Sequence, residues 1–339
     1  MKYRKLGNTG LSVSPLCLGM MSYGSSKWQP WVLGKAEGRK FVKQAVDNGI
    51  NFFDTADFYS FGASEESLRE SITGTFNREE LVISSKVGLP MNGSPNARGS
   101  SRKHINEAIN ASLSRLGTDY IDMYIIHVWD GTTPVEETVA ALEDLVRAGK
   151  ILYYGASNYM TWQLAQSQQA AKAQRGRTFS CMQLQYNLLY REEERDMLPY
   201  CEAEGIGVMV FSPLARGWLV NGDGAGKSLT ERESVRTFQD AKTKAIYGSK
   251  ADHTVRQRLL EVAERNDVPP GRIAMAWLLA KDQISSVVVG ALESKHLSEA
   301  ISAVDLNLST EDCRYLEEAY VPVPIKTDGL SEVEKQSKR

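Results

Sequence analysis

The sequence predicts an α/β protein, and more narrowly a (β/α)8 TIM barrel. Two observations lead to this prediction: short apolar runs alternate with amphipathic stretches along most of the 339 residues, and each run is nearly continuous. Continuous apolar runs are typical of parallel strands, which are buried on both faces. Eight strand signals alternating with eight helix signals favour a closed barrel, with an open doubly wound sheet as the alternative.

The predicted elements follow one another in a regular order. The strands cover residues 15–21, 50–56, 81–87, 120–127, 151–158, 180–187, 206–213 and 285–291. The helices cover residues 36–48, 64–74, 102–116, 134–148, 160–174, 192–204, 252–266 and 296–303. We expect Ser64 to cap the second helix, because a serine hydroxyl accepts from backbone N–H groups at a helix start.

Three segments fall outside this repeat. Residues 5–10 (KLGNTG) predict an N-terminal hairpin turn that could cover the N-terminal end of the barrel. Residues 216–250 form a long, glycine-rich and charged rim loop, in which NGDGAGKS lacks the first glycine of a P-loop. We expect a single domain over residues 1–326 and a polar tail over residues 327–339.

Composition excludes several functional classes. Forty basic and 42 acidic residues give a net charge of -2, which argues against nucleic-acid and membrane-surface partners. The chain has no apolar run of about 18 residues and no apolar segment after its basic start, so neither a membrane span nor a secretory signal is expected. Four scattered cysteines and four histidines without HExxH predict no disulfide framework and no metal, and favour a cytoplasmic location.

Polar side chains stand at the carboxyl ends of the predicted strands. The second, third and fourth strands end with Asp54, Lys86 and His127. The later strands end with or carry Ser157, Asn158, Gln183, Ser212, Gly290 and Ala291. Each residue alone could cap a turn or satisfy backbone groups. However, the carboxyl ends of barrel strands share one rim, so an Asp, a Lys and a His on consecutive strands favour a functional site.

Tyr59 adds a proton donor to this group. It lies five residues after Asp54 in FFDTADFYSFGASEESL, residues 52–68. A phenol has a pKa of about 10, and a nearby ammonium favours its phenolate form. A carboxylate beside Lys86 would keep that ammonium charged, and His127 could orient a carbonyl oxygen. The pattern predicts a site that protonates a carbonyl group without a metal or a nucleophile.

These residues resemble the motifs of the aldo-keto reductase family. The similar segments are FFDTADFYSFGASEESL, VISSKVG, YIIHVWD, GASN, MQLQYNLLYR, FSPLARGWL and VVVGALESKHLSEA, in the family's order over residues 1–320. The opening RKLGNTGLSVSPLCLGMMSYG and the stretch NLLYREEERDMLP resemble the bacterial and fungal aryl-alcohol-dehydrogenase-like branch.

The resemblance implies an NAD(P)H-dependent oxidoreductase that reduces an aldehyde or ketone to an alcohol, with a small-molecule carbonyl or alcohol as its partner. Tyr59 is implied as general acid, with Asp54, Lys86 and His127 completing the catalytic set. Ser157, Asn158 and Gln183 would hold the cofactor carboxamide, and Phe211 would stack on the nicotinamide. The implied cofactor-binding residues are Gly19, Met20, Met21, Asp54, Ser157, Asn158, Gln183, Phe211, Ser212, Pro213, Leu214, Arg216, Gly217, Gly290, Ala291, Ser294, His296 and Glu299.

One departure from the family's pattern affects the choice of cofactor. Many relatives place an arginine two residues after the glycine of the last strand, where it meets a 2′-phosphate. Here that position is Leu292, followed by Glu293. Lys295, His296 or Arg216 could compensate. Because these residues could replace the arginine, NADP(H) stays the predicted cofactor, and the leucine makes NAD(H) the alternative.

Aromatic residues on the predicted rim loops suggest where a substrate binds. They are Tyr23, Trp28, Trp31, Phe58 and Trp129. They could line a pocket for an apolar or aromatic carbonyl compound, or simply pack their own loops. Two other functions remain as alternatives: a barrel enzyme that uses Lys86 as a Schiff-base nucleophile, and a cofactor-binding regulatory subunit like the potassium-channel β subunits.

Overall fold

Eight parallel strands form a closed barrel in the computed structural model, which describes residues 1–222, 230–239 and 241–325. The strands are β1 (Leu16–Gly19), β2 (Phe52–Asp54), β3 (Val82–Val87), β4 (Ile121–Ile126), β5 (Ile151–Ser157), β6 (Cys181–Gln185), β7 (Gly207–Phe211) and β8 (Ile284–Val289). β8 pairs with β1 through Val287 and Leu16, which closes the barrel. The predicted (β/α)8 barrel is confirmed, and the open sheet is excluded.

The longer helices surround the strands. They are α1 (Lys35–Asp47), α2 (Ala63–Ile72), α3 (Arg102–Leu116), α4 (Val135–Arg147), α5 (Thr161–Ala173), α6 (Met197–Glu204), α7 (Lys250–Arg265), α8 (Pro270–Leu279), α9 (Ser294–Ser302) and α10 (Thr310–Glu317). All eight predicted helices are present, and α8 and α10 are additional. The sequence pattern missed α8 because nearly every residue of this helix is buried, so it lacks the polar face that an amphipathic period requires.

The expected role of Ser64 is wrong. α2 begins at Ala63 after Gly62, whose φ of 93° places it in the left-handed region, and no side chain caps the helix. The Ser64 hydroxyl instead donates to the Met20 carbonyl at 2.7 Å and lies 2.9 Å from the Thr55 hydroxyl. This serine therefore ties α2 to the loops that follow β1 and β2.

The N-terminal hairpin covers the N-terminal end of the barrel, as expected. Strands Arg4–Lys5 and Ser12–Val13 pair antiparallel. Leu6, which follows the first strand, and Val13, which belongs to the second, are fully buried among the residues that fill the barrel interior. The Arg4 guanidinium donates to the carbonyls of Ile284 at 2.8 Å and Leu279 at 2.7 Å. The hairpin is thus bound to the last strand and to α8.

Strand alternation decides which polar residues enter the barrel. Phe52 and Val82 belong to the cluster inside the barrel, whereas Phe53 and Ile83 belong to the layer between strands and helices. Because successive side chains point to opposite faces, Asp54 and Lys86 point inwards at the carboxyl ends of β2 and β3. Ser85 points outwards, towards the helices.

The stretch after β7 contains short helices rather than a continuous loop. Its described parts include Trp218–Asn221, Glu231–Ser234 and Ala241–Ile246. Most of NGDGAGKS, the predicted domain boundary at residue 326 and the tail 327–339 lie outside the described residues. Among the helices that are described, none is long and apolar enough to cross a membrane.

Candidate active site

A buried ion pair lies inside the barrel at the carboxyl ends of β2 and β3. The Lys86 ammonium, which is fully buried, donates to Asp54 Oδ2 at 2.6 Å and to the Thr55 carbonyl at 2.7 Å. The other carboxylate oxygen, Asp54 Oδ1, accepts from Ser84 Oγ at 2.7 Å and from Gln183 Nε2 at 2.9 Å. Both charges are therefore fully hydrogen-bonded, as a buried pair must be to offset its desolvation.

Tyr59 completes the contacts of the lysine. Lys86 Nζ lies 3.3 Å from the Tyr59 hydroxyl oxygen and donates to it. Burial alone would lower the pKa of Lys86, but the charges and hydrogen bonds of Asp54 and Tyr59 outweigh burial and raise this pKa. Lys86 is therefore an ammonium, and it is placed to stabilise a negative charge on the phenolic oxygen.

His127 and two amide side chains lie around this group. The rings of His127 and Tyr59 meet edge to face, with centroids 5.6 Å apart. Asn158 Nδ2 donates to the His127 carbonyl at 3.1 Å and to Ser157 Oγ at 3.0 Å. Through these bonds and the bond from Gln183 to Asp54, the ends of β2 to β6 form one connected polar rim.

Strained backbone is concentrated on the same rim. Six of the eight described non-glycine residues with a positive φ lie there, and the other two, Arg175 (54°) and Asp267 (51°), follow helices instead. On the rim, positive φ angles occur at Ser60 (52°) and Phe61 (50°) after Tyr59, and at Asn158 (56°) after β5. Ser212 (55°), Ala215 (50°) and Arg216 (60°) have them after β7. Such strain tends to be kept at functional sites, so these angles point independently to the rim that the sequence pattern selects.

The loop after β7 is fixed by residues that the sequence did not single out. Arg216 Nε donates to Thr243 Oγ1 at 3.1 Å, and Gln185 Nε2 donates to the Tyr247 hydroxyl at 2.8 Å. Thr243 lies on the short helix Ala241–Ile246, and Tyr247 follows it. Neither stands at a strand end, so no strand-end pattern could indicate them. Thr243 thus holds Arg216 in this loop, whereas Tyr247 bonds to Gln185 of β6, the residue that pairs with Phe211.

The remaining predicted cofactor residues extend along the rim to α9. Gly19 pairs with Asp54, and the buried Met20 and its neighbour Met21 follow Gly19 directly. Leu214 and Glu299 both approach Gly271, since a Cβ added there would lie 3.8 and 3.4 Å from their side chains. Gly217, Gly290 and Ser294 lie at least partly exposed, and His296 is in the first turn of α9. The predicted residues are therefore distributed over the segments that follow β1, β7 and β8 and along α9.

One predicted pocket residue is corrected. Tyr23 is fully buried, stacks on Phe41 of α1 with centroids 5.0 Å apart, and donates its hydroxyl to the Ala291 carbonyl at 2.9 Å. It packs the core beneath the rim and does not offer an exposed pocket wall. An aromatic residue in a predicted loop was a weak signal, because loop aromatics can also fold back onto a helix.

Three of the other predicted aromatics, Trp28, Trp31 and Phe58, lie near Tyr59. The centroid of the Trp28 ring lies 6.2 Å from that of Tyr59 and 5.9 Å from that of Phe58. The ring centroids of Trp31 and Trp28 are 6.4 Å apart. A second cluster consists of Trp129, Tyr159 and Trp162. Trp162 was not predicted; it is 56% exposed, and an exposed tryptophan on a predicted helix could have indicated it.

The residues at the ends of β5, β6 and β7 fit a nicotinamide. Ser157, Asn158 and Gln183 provide the hydroxyl and amide groups that a carboxamide requires, and the Phe211 ring is partly exposed beside them. Asn158 Nδ2 is already bonded to two oxygens, which leaves its Oδ1 to accept an N–H.

Comparison with known proteins identifies the family of the chain. Residues 15–321 match the sequence model of the aldo/keto reductase family. A Schizosaccharomyces pombe protein provisionally named an aryl-alcohol dehydrogenase is 40% identical, with 96% of this chain and 97% of the relative covered. Versiconal hemiacetal acetate reductase of Aspergillus parasiticus is 37% identical, with 96% of this chain and 98% of that protein covered. The chain therefore belongs to the aldo/keto reductase family.

Proposed function

We propose that Tyr59 is the general acid of this oxidoreductase, which reduces the carbonyl group of an aldehyde or ketone. The observation that supports this role is the hydrogen bond of 3.3 Å from the buried Lys86 ammonium to the Tyr59 oxygen. Because the phenol accepts from Lys86, its own proton is the one available for donation to a substrate oxygen.

Lys86 and Asp54 prepare Tyr59 for this step. As the proton leaves Tyr59, negative charge develops on its oxygen, and the neighbouring ammonium stabilises that charge. The 2.6 Å contact with Asp54 and the 2.7 Å contact with the Thr55 carbonyl hold Lys86 in place, so little reorganisation is needed. His127, edge-on to Tyr59, is placed to orient the substrate oxygen.

A nicotinamide cofactor supplies the hydride when it is bound. We propose that Ser157, Asn158 and Gln183 hold its carboxamide and that Phe211 supports its ring. Ser212, Pro213, Leu214, Arg216 and Gly217 would bind its pyrophosphate and ribose. Whether the dinucleotide carries a 2′-phosphate depends on a separate group of charged residues at the start of α9.

The aromatic residues near Tyr59 favour a flat, apolar substrate. Trp28 and Phe58 would form one wall, with the buried Trp31 packed behind Trp28, and Trp129 lies on another loop of the rim. Aromatic pockets with few polar groups suit aromatic or extended carbonyl compounds. The names of the relatives, an aryl-alcohol dehydrogenase and a hemiacetal acetate reductase, are compatible with such substrates. A cytoplasmic location is part of the proposal, since the four cysteines form no disulfide.

A Schiff-base mechanism is disfavoured by the state of Lys86. A nucleophilic lysine needs a lowered pKa, whereas the charges of Asp54 and Tyr59 overcome burial and raise the pKa of this one. A regulatory subunit would bind cofactor with negligible turnover. The complete set of Asp54, Tyr59, Lys86 and His127 favours an enzyme.

Replacement of the proposed acid tests the mechanism. We expect Tyr59→Phe to lower kcat by about 10²- to 10⁴-fold, the usual contribution of general acid catalysis, and to leave cofactor affinity unchanged. Turnover with a panel of aromatic aldehydes and fluorescence titration with NADH and NADPH measure the two effects. Tyr3→Phe is the control, since Tyr3 is exposed and its hydroxyl bonds only to Gly49 in the described structure. Full turnover in the Tyr59 variant would refute the role.

A further inference from the structure

A carboxylate from the stretch after β7 is fixed against the start of α9. Glu233 Oε1 lies 2.8 Å from His296 Nε2. Its other oxygen, Oε2, accepts from the backbone N–H and the hydroxyl of Thr230, both at 2.8 Å. The Glu233 side chain is only 8% exposed. Three groups therefore define the position of this carboxylate next to the strand end where the family pattern expects a 2′-phosphate.

The hydrogen bonds assign the protonation of both partners. His296 Nδ1 accepts the backbone N–H groups of Leu292 and Glu293 at 3.3 Å, so its hydrogen is on Nε2 and is donated to Glu233. Burial would raise the pKa of Glu233, but the bonds from Thr230 and His296 outweigh it and lower this pKa. Glu233 is thus an anion, and it already accepts the hydrogen bond that His296 Nε2–H could otherwise donate to a ligand.

The neighbouring ammonium is also engaged. Lys295 Nζ lies 3.0 Å from Glu293 Oε2 and 3.7 Å from Glu233 Oε1. The bond to Glu293 raises the pKa of Lys295, so this side chain stays charged. Position 292, where the family pattern has an arginine in many members, is an uncharged leucine. Among the described residues, the start of α9 therefore has two carboxylates against one ammonium.

A metal ion is a poor occupant for this cluster. Ligand atoms of Glu233, Glu293 and His296 lie within 4.8 Å of one another. However, the Lys295 ammonium lies between the two carboxylates and would repel a cation. The cluster is better explained as a site for an anion, next to His296 and Lys295, that the Glu233 carboxylate already occupies.

We infer that Glu233 excludes the 2′-phosphate, so that this enzyme selects NAD(H) rather than the NADP(H) that the resemblance implied. This inference rests on the proposed function, because it assumes that a nicotinamide dinucleotide reaches the start of α9. A phosphate dianion placed there would have to displace Glu233 from His296 or lie against two carboxylates. Like charges in contact repel and weaken binding, whereas an unphosphorylated ribose meets no such repulsion.

The affinities for the two cofactors test the inference without any substrate. Fluorescence titration is expected to show that the wild-type enzyme binds NADH at least about tenfold more tightly than NADPH, a ratio that corresponds to about 1.4 kcal/mol. Glu233→Gln keeps the shape of the side chain and removes its charge. It is expected to tighten NADPH binding by about tenfold and to change NADH binding little.

Two further variants separate charge from shape. Glu231→Gln is the matched control, since Glu231 is exposed on the same short helix, and it should leave both affinities unchanged. Lys295→Met removes the ammonium of this cluster. It should weaken NADPH binding further, whereas Glu233→Gln should tighten it. Competition by 2′,5′-ADP and by ADP should reproduce both trends.

The outcomes also distinguish the two proposals. Tight NADPH binding by the wild-type enzyme, or an unchanged NADPH-to-NADH ratio in Glu233→Gln, would overturn the inference and leave the proposed reaction intact. If neither dinucleotide binds, the inference and the proposed function both fail.

Discussion

Two groups of buried charges arise from residues 52–68 and the strand beside them, and they differ in how well they are paired. Asp54 and Lys86 lie inside the barrel, where every polar atom of the pair has a hydrogen-bond partner. Asp57 and Glu65 lie outside the barrel, between the strands and the helices α2 and α3. Both groups are hidden from solvent, yet only the inner one contacts the proposed acid.

The outer group is incompletely paired. Glu65 accepts from Ser85 Oγ at 2.5 Å and from Arg115 Nε at 2.6 Å. Asp57 is 1% exposed, and neither of its oxygens nor the buried Tyr124 hydroxyl has a hydrogen-bond partner among the described residues. Burial, with the nearby Glu65, raises the pKa of Asp57 well above its usual value, and Arg115 offsets only part of this.

The comparison shows what distinguishes a reactive charge from a structural one. The inner lysine keeps its charge because a carboxylate, a carbonyl and a phenol surround it, and that charge faces the open rim. For Asp57 in the outer group, burial raises the pKa and so favours the neutral carboxylic acid. Ser84 and Lys86 face one group while Ser85, between them, faces the other, so strand alternation alone separates chemistry from packing.

The largest effect is expected from breaking the inner pair. Lys86→Met leaves Asp54 buried without its ammonium, which should cost about 3–5 kcal/mol of unfolding free energy. The loss of charge beside Tyr59 should also lower kcat by about 10²-fold or more. Urea denaturation and turnover per folded molecule measure these effects. Lys43→Met, which removes an exposed ion pair, is the control and should change stability by less than about 1 kcal/mol.

Breaking the outer pair should affect stability alone. Arg115→Met leaves the fully buried Glu65 without its guanidinium, again at a cost of about 3–5 kcal/mol. Turnover per folded molecule should stay within a few-fold of the wild-type value, because Arg115 does not contact the Lys86 ammonium. A folded Arg115 variant that has lost turnover to the same extent as Lys86→Met would show that the two groups act as one.

The smallest effect is a pH dependence that the Asp57 carboxyl should cause. Since the folded pKa of Asp57 lies above the unfolded value of about 4, the wild-type protein should lose stability as the pH rises from that value towards the folded pKa. The Asp57→Asn side chain cannot ionise. The free energy of unfolding of this variant should therefore rise relative to that of the wild type by up to about 1.4 kcal/mol per pH unit in this range.

Urea denaturation at pH 5 and pH 7 measures this difference, and the exposed Asp119→Asn is the control. Asp57→Asn should also retain wild-type turnover, because its neutral side chain resembles the protonated acid. A stability difference between wild type and Asp57→Asn that is independent of pH would mean that Asp57 is ionised in the folded protein.

Particular residues show how far the sequence could predict this structure. Asp54, Lys86 and His127 could be placed on one rim because parallel strands have a period of two and a common direction. Tyr23 was misplaced because nothing local distinguishes an aromatic that folds onto α1 from one that faces solvent. Glu233 was missed because its partner, His296, is 63 residues away and no periodic pattern links them. The burial of Asp57 depends on how α2 and α3 pack, which no strand pattern encodes.

The hairpin at the start of the chain has a consequence for the order of events during protein synthesis. Arg4 bonds to the carbonyls of Leu279 and Ile284, and β1 is completed by β8. The residues of the hairpin therefore find these partners only after the chain up to Ile284 has emerged from the ribosome. Until then, Leu6, Val13 and the open edge of β1 are exposed apolar surface, which is the kind of intermediate that chaperones protect.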